Sequence, residues 1–171
     1  MSLSSAFVLI DAATHDLKGF DCGKPSLNDY LSRFAVRNSS LGLSRTWVLT
    51  ELVAQGKAPV AAYFTLASST VTRELLPSQP KSLPAYPVPV VLLARLGVSL
   101  TQQGRQLGAK TLVQALRTAL ELTDSGLPAL GVVLDVLDEA ALKFYQHMGL
   151  FTPLTDQPMR LFVPMSTLRQ L

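Results

Sequence analysis

Apolar positions change period several times along the chain, and each change marks an element. Residues 6–10 form a short apolar run that predicts a strand. Pro25 and Ser26 lead into Leu27, Tyr30, Leu31, Phe34 and Ala35, which recur at helical spacing. Residues 26–38 are therefore expected to be helical, with proline in the first turn. Arg33 and Arg37 stand four apart on that helix and share one face. Residues 46–52 and 59–67 are β-rich, and the connector with Gly56 and Lys57 predicts a hairpin. Pro77, Pro80, Pro84, Pro87 and Pro89 exclude a regular helix, so that stretch is expected to be an extended loop.

Residues 90–100 are dense in Val and Leu, as expected for a strand buried on both faces. A long helix is expected to open at residues 104–108. Its apolar stripe is Leu107, Thr111, Leu112, Ala115, Leu116, Ala119 and Leu122, and Gly126 lies near its end. Residues 130–136 read as another buried strand. Asp138 is placed to cap a helix over residues 139–148, which Gly149 stops. Residues 160–163 read as the last strand, followed by a short helical turn. This order implies an α/β fold of mixed type: a central twisted mixed sheet with helices on both faces, in one domain over residues 1–171.

Composition agrees with one globular core: 171 residues, 48% hydrophobic and 16% charged. Charge adds more. Between Tyr30 and Leu120 there are ten basic residues and two acids, a local +8 in a chain of net +3, so the remainder carries −5. Such segregation suits a polyanionic ligand at the middle of the chain. Cys22 is the one cysteine, which excludes an intrachain disulfide and is compatible with a reducing compartment. The N-terminus lacks the order of a signal peptide, and apolar stretches such as residues 88–94 are too short to span a bilayer. A soluble cytoplasmic protein is expected. One cysteine and the distant His15 and His147 offer no metal-ligand spacing.

The most informative segment is residues 92–116. A strand runs into a glycine-bearing turn and then a helix, which presents free backbone N–H groups at the positive end of the helix dipole. Gly104 and Gly108 permit unusual dihedrals or close approach, and Arg105 and Lys110 add positive charge. Neither a Walker loop nor a GxGxxG fingerprint is present. The run Gln103-Gly104-Arg105-Gln106-Leu107-Gly108-Ala109 resembles the acetyl-CoA motif of the GNAT N-acetyltransferases, Q/R-x-x-G-x-G/A, with Gln106 where that family most often has glycine. The resemblance implies that acetyl-CoA is the cosubstrate. It implies that the pyrophosphate rests on the amides of this loop through Lys110, and that the pantetheine pairs with Leu96, Gly97 and Val98.

A second run, residues 138–150, resembles the GNAT signature A-x-x-F-Y-x-x-x-G-F, with Leu150 in place of the last aromatic. The resemblance implies that Tyr145 is the catalytic acid that protonates the departing thiolate, with Phe144 beside the cofactor. The backbone N–H near Val98 is expected to polarise the acetyl carbonyl. His147 points away from Tyr145 on a helix and is expected at the surface. No general base is evident, which suits an amine of lowered pKa such as that of an aminoacyl ester.

Four further runs carry a narrower resemblance: residues 20–31, residues 44–48, Ala62-Tyr63-Phe64-Thr65-Leu66, and Tyr86-Pro87-Val88-Pro89 with Leu92-Leu93-Ala94-Arg95-Leu96. They are similar to elements of the GNAT toxins of type II toxin–antitoxin pairs. That subgroup implies acetylation of the amino group of aminoacyl-tRNA, a ribbon-helix-helix antitoxin and a homodimer. Arg33, Arg37 and Arg45 are the candidate phosphate contacts, and Arg95 is expected as an ion-pair partner within a buried strand. Two alternatives remain: a GNAT enzyme for a small amine or a protein N-terminus, and a non-catalytic CoA-binding interaction module.

Overall fold

A computed structural model describes residues 2–78 and 81–171. Pro80, one of the prolines of the expected loop, lies outside the described residues. The strands are β1 (Val8–Leu9), β2 (His15–Asp16), β3 (Arg45–Thr50), β4 (Ala58–Val71), β5 (Val88–Val98), β6 (Gly131–Asp135), β7 (Thr152–Leu154) and β8 (Gln157–Pro164). The helices are α1 (Pro25–Asp29), α2 (Ala35–Ser40), α3 (Leu107–Asp124), α4 (Glu139–Met148) and α5 (Met165–Leu168). The sheet has eight strands in the order β1-β3-β4-β5-β6-β8-β7, with β2 paired to β4. It is mixed: β3 and β4 are antiparallel, and β5 and β6 are parallel. The chain divides into two compact units, one of Met1–Ala67 with Arg95–Ala115 and one of Ser68–Ala94 with Leu116–Leu171.

In the first unit the expected hairpin forms, pairing Arg45↔Leu66 through Thr50↔Val60. Trp47 stacks on its cross-strand neighbour Phe64 at 5.2 Å, and Thr46 and Thr65 bond hydroxyl to hydroxyl at 2.7 Å, two side-chain pairs that fix the register. Leu31, Ala35, Val48, Val60, Tyr63, Phe20 and Cys22 form one core cluster, and Leu49, Ala61, Ala62 and Leu107 another.

The expected helix at residues 26–38 is not regular. Pro25 starts it, but Tyr30–Phe34 forms a π turn between α1 and α2, with the Ala35 N–H bonded to the Tyr30 carbonyl. One residue is thereby inserted into the helical repeat. Leu31 and Ala35 stay buried and Phe34, expected on the apolar stripe, is 46% exposed.

In the second unit Val71, Leu76, Val88, Val90, Val133, Leu154 and Phe162 form the core. β6 pairs with β5 from Val91↔Val132 to Leu93↔Leu134, and with β8 over its whole length. The β7–β8 hairpin was missing from the expected order, because β7 is only three residues long and contains Pro153. Asp138 caps α4 through the Ala141 N–H at 2.9 Å, and the helix ends at Gly149 with φ 71°, as its sequence predicts. On α3, Leu107, Thr111, Leu112, Ala115, Leu116 and Ala119 are buried, whereas Leu122 at the end of the stripe is exposed. Among the described residues no helix is long and apolar enough to cross a membrane.

Candidate active site

The first unit holds the turn between strand and helix that was expected to bind an anion. β5 ends at Val98, a 3-10 turn covers Leu100–Gln102, and α3 begins at Leu107, within the expected opening at residues 104–108. Gln103, Gly104, Arg105 and Gln106 are exposed between them. Two residues of this turn are left-handed: Gly104 at φ 79° and Gln106 at φ 61°. Gly108 is not one of them; it lies within the first turn of α3, partly buried with Ala109. Gln106 occupies the position where glycine is usual in the motif, and its positive φ supplies the physical reason for that preference. A Cβ added to Gly104 would meet nothing within 4 Å, so the loop is open on that side. Left-handed residues recur in the backbone nests that bind anions, and the first amides of the 18-residue α3 have no intrahelical acceptor. Arg105 and Lys110 are exposed beside them.

Side chains hold this loop from below. The Gln103 amide donates to the Cys22 carbonyl at 3.1 Å and to the Val98 carbonyl at 3.0 Å. Its amide nitrogen is thus engaged with protein, so this side chain braces the loop. Gln102, buried, donates to the buried Glu51 carboxylate at 3.3 Å. Sequence reasoning missed this pair. Its only signal was a single acid in a β-rich, otherwise apolar and basic stretch.

The end of β5 is shaped by its neighbours. Its parallel pairing with β6 runs to Leu93, whereas the strand continues through Leu96, Gly97 and Val98. Gly97 is buried, and a Cβ there would stand 3.1 Å from Tyr63 Cε1 and 3.4 Å from Phe20 Cζ. Tyr63 is fully buried and donates its hydroxyl to the Leu27 carbonyl at 2.7 Å; burial raises its pKa well above the ordinary tyrosine value. The expectation of burial on both faces holds only for the first half of β5. Arg95 is exposed, and its guanidinium lies over the Tyr30 ring, 4.6 Å from the centroid. Its guanidinium thus makes a cation–π contact, and the strand is open rather than buried at this position.

Arg33 and Arg37 are exposed on the π turn and α2. Arg45 is exposed too and donates to the Ser39 carbonyl at 2.9 Å, which ties the start of β3 to the end of α2.

The second unit holds Tyr145 and Phe144. Tyr145 is buried on α4 between Phe144, at 5.1 Å, and Phe151, at 5.8 Å, both edge-on. Burial among these rings pushes its pKa up to about 12, so the phenol is protonated at every physiological pH. Phe144 is partly buried, and His147 is exposed in the last turn of α4, as expected. Among the described residues no group of three His, Cys, Asp or Glu side chains is placed to hold a metal ion.

Comparison with known proteins places the chain in a family. No protein-family model matches it. It is 35% identical over 157 residues to a tRNA-acetylating toxin of Mycobacterium tuberculosis, covering 91% of this chain and 90% of that protein. Its fold matches a Tyr-to-Phe mutant of KacT with a TM-score of 0.88 and 26% identity, covering 99% of each chain. It matches AtaT complexed with acetyl-methionyl-tRNAfMet with a TM-score of 0.86 and 28% identity, covering 99% of this chain and 98% of that one. It also matches AtaTR bound with AcCoA at a TM-score of 0.82 and 29% identity, covering 99% of this chain and 97% of that one. The chain belongs to the family of tRNA-acetylating GNAT toxins.

Proposed function

We propose that this protein transfers the acetyl group of acetyl-CoA to the amino group of an aminoacyl-tRNA and so blocks translation. The observation that carries the reading is the left-handed pair Gly104 and Gln106 at the head of α3. The residues fit a CoA diphosphate: an open turn, the free amides at the head of α3, and the exposed cations Arg105 and Lys110. In this reading residues 103–110 hold the pyrophosphate, with Gln103 acting as a brace through its side chain. Leu96, Gly97 and Val98 hold the pantetheine arm, and Phe144 lines the cofactor. The whole chain, residues 1–171, acts as one acetyltransferase domain.

When bound, acetyl-CoA supplies an acetyl group activated as a thioester. The acceptor amine forms a C–N bond as the C–S bond breaks, and the amine's proton passes to solvent, since no side chain is assigned as general base. Tyr145 holds its proton firmly at neutral pH and is placed in the role of acid toward the leaving sulfur. The relatives that support this reading are a tRNA-acetylating toxin, AtaT with acetyl-methionyl-tRNAfMet, and AtaTR with AcCoA. The match to an AtaT mutant toxin bound to the C-terminus of the antitoxin AtaR supports an antitoxin partner for this chain; we take that partner to be a ribbon-helix-helix protein, and the toxin to act in the cytoplasm as a homodimer.

Incubation with labelled acetyl-CoA and a charged tRNA pool, followed by identification of the labelled species, tests the substrate. Tyr145→Phe is expected to lower kcat by a factor on the order of 10² to 10⁴, the usual contribution of a positioned acid, while the Kd for acetyl-CoA stays near wild type. Equal turnover in the mutant would remove Tyr145 from the chemistry.

A further inference from the structure

We propose that Phe34, supported by Tyr30, is a stacking platform for an unpaired nucleobase of the RNA substrate. The inference rests on the aminoacyl-tRNA reading and adds to it a contact by which the polynucleotide is held.

Phe34 closes the π turn Tyr30–Phe34 and is 46% exposed, an uncommon position for a phenylalanine on an otherwise buried helix face. Its ring lies over that of Tyr30, with centroids 6.5 Å apart and planes 29° from parallel. Tyr30 is itself immobilised. It is 8% exposed, its hydroxyl is 3.0 Å from Ser44 Oγ, and the Arg95 guanidinium packs on its ring. The supporting ring is thus ordered in advance, and a base that stacks on Phe34 has little side-chain entropy to remove.

The charge around it selects the occupant. Arg33 precedes Phe34, Arg37 follows one turn later, and Arg45 is tied to the end of α2; all three are exposed. No acid occurs in the sequence from Tyr30 to Thr50. An exposed aromatic side chain on a segment that also carries exposed arginines complements a ligand with π faces joined by phosphates, which is the chemistry of a single-stranded RNA end. The inserted residue of the π turn gives a local cause for the display, and such insertions gather at functional positions.

The test is affinity for deacylated and charged tRNA at several salt concentrations. Phe34→Ala and Phe34→Leu are expected to weaken binding about tenfold, within the range for loss of one base–aromatic stack. Phe34→Trp is expected to restore it. The slope of log K against log salt should be unchanged in all three, because no phosphate contact is removed. Arg33→Glu with Arg37→Glu should instead flatten that slope. The KM for acetyl-CoA should not move in the Phe34 variants. Wild-type affinity in Phe34→Ala, or a full restoration by Phe34→Leu, would overturn the platform and leave the acetylation reading standing. The platform would also fall if Phe34→Ala changed only oligomeric state or antitoxin affinity, which would assign the ring to a protein interface. Absence of any tRNA binding by the wild-type protein would remove both.

Discussion

A side chain in the left-handed region costs about 1–2 kcal/mol relative to glycine, and Gln106 carries that cost at φ 61°. Exposure leaves its side chain nothing in the core to gain in return. Gln106→Gly removes the strain but gives the unfolded chain more freedom, which returns roughly 0.4–1 kcal/mol. The expected net effect is stabilisation by about 0.5–1 kcal/mol, read as a rise of roughly 2 °C in Tm. A fall in Tm would mean that Gln106 makes a compensating contact. At Tyr145 the same scale governs proton supply. Burial raises the pKa to about 12, which favours the neutral phenol and keeps its proton available. The pH dependence of kcat should accordingly show no loss assignable to Tyr145 up to about pH 10, the ordinary tyrosine value. A basic limb that disappears in Tyr145→Phe would show that the phenol titrates earlier than its burial implies.

Between residues and the molecule stand the elements, and at this scale sequence and structure agree unevenly. The β3–β4 hairpin, the capped helix α4 and the loop that opens α3 were legible. Each is written in local chemistry: β-rich runs either side of a glycine connector, an aspartate before a helix and a glycine after it, a glycine turn followed by an apolar stripe. What was not legible depends on partners distant in sequence. The π turn arises where Leu31 and Ala35 both reach the core, so Phe34 is turned outward although its spacing marks it as buried. Arg95 lies in an apolar run but meets Tyr30, 65 positions earlier in the chain. The Glu51–Gln102 and Gln103 braces join residues 51 and 81 apart, beyond any local pattern. β5 shows how such a partner fixes a residue. Gly97 faces the ring of Tyr63, which is fully buried and held by its bond to Leu27, so it has no room to retreat. Gly97→Ala is expected to destabilise the fold by about 1–3 kcal/mol through overpacking, measured by denaturant titration. If Tyr63→Phe, which frees the ring from Leu27, reduces that cost in the double mutant, the clash with this ring is its cause.

For the whole molecule, buried titratable groups set the pH range in which the fold is stable, and the two sides have opposite signs. On the acid side His15 is buried, its Nδ1 accepts the Asp11 N–H at 3.0 Å, and desolvation lowers its pKa despite the nearby Asp11 carboxylate. Its folded pKa lies below the unfolded value of about 6.5, so below that pH the unfolded chain binds more protons and stability falls as pH falls. On the alkaline side Tyr63 and Tyr145 both have folded pKa values above the ordinary one, chiefly through burial. The folded state then retains protons that the unfolded chain gives up above about pH 10, and stability falls as pH rises. Burial also raises the Cys22 thiol, which the unfolded chain deprotonates above about pH 8.5, so unfolding free energy measured in denaturant should be flat from about pH 7 to 8 and decline on both sides. His15→Gln keeps a polar group near Asp11 that does not titrate, and it should flatten the acid decline between about pH 6.5 and 5. Tyr145→Phe removes one phenol and should reduce the alkaline decline while leaving the acid side unchanged. An alkaline limb untouched by that substitution would assign the loss to Tyr63 and Cys22, which burial also shifts upward.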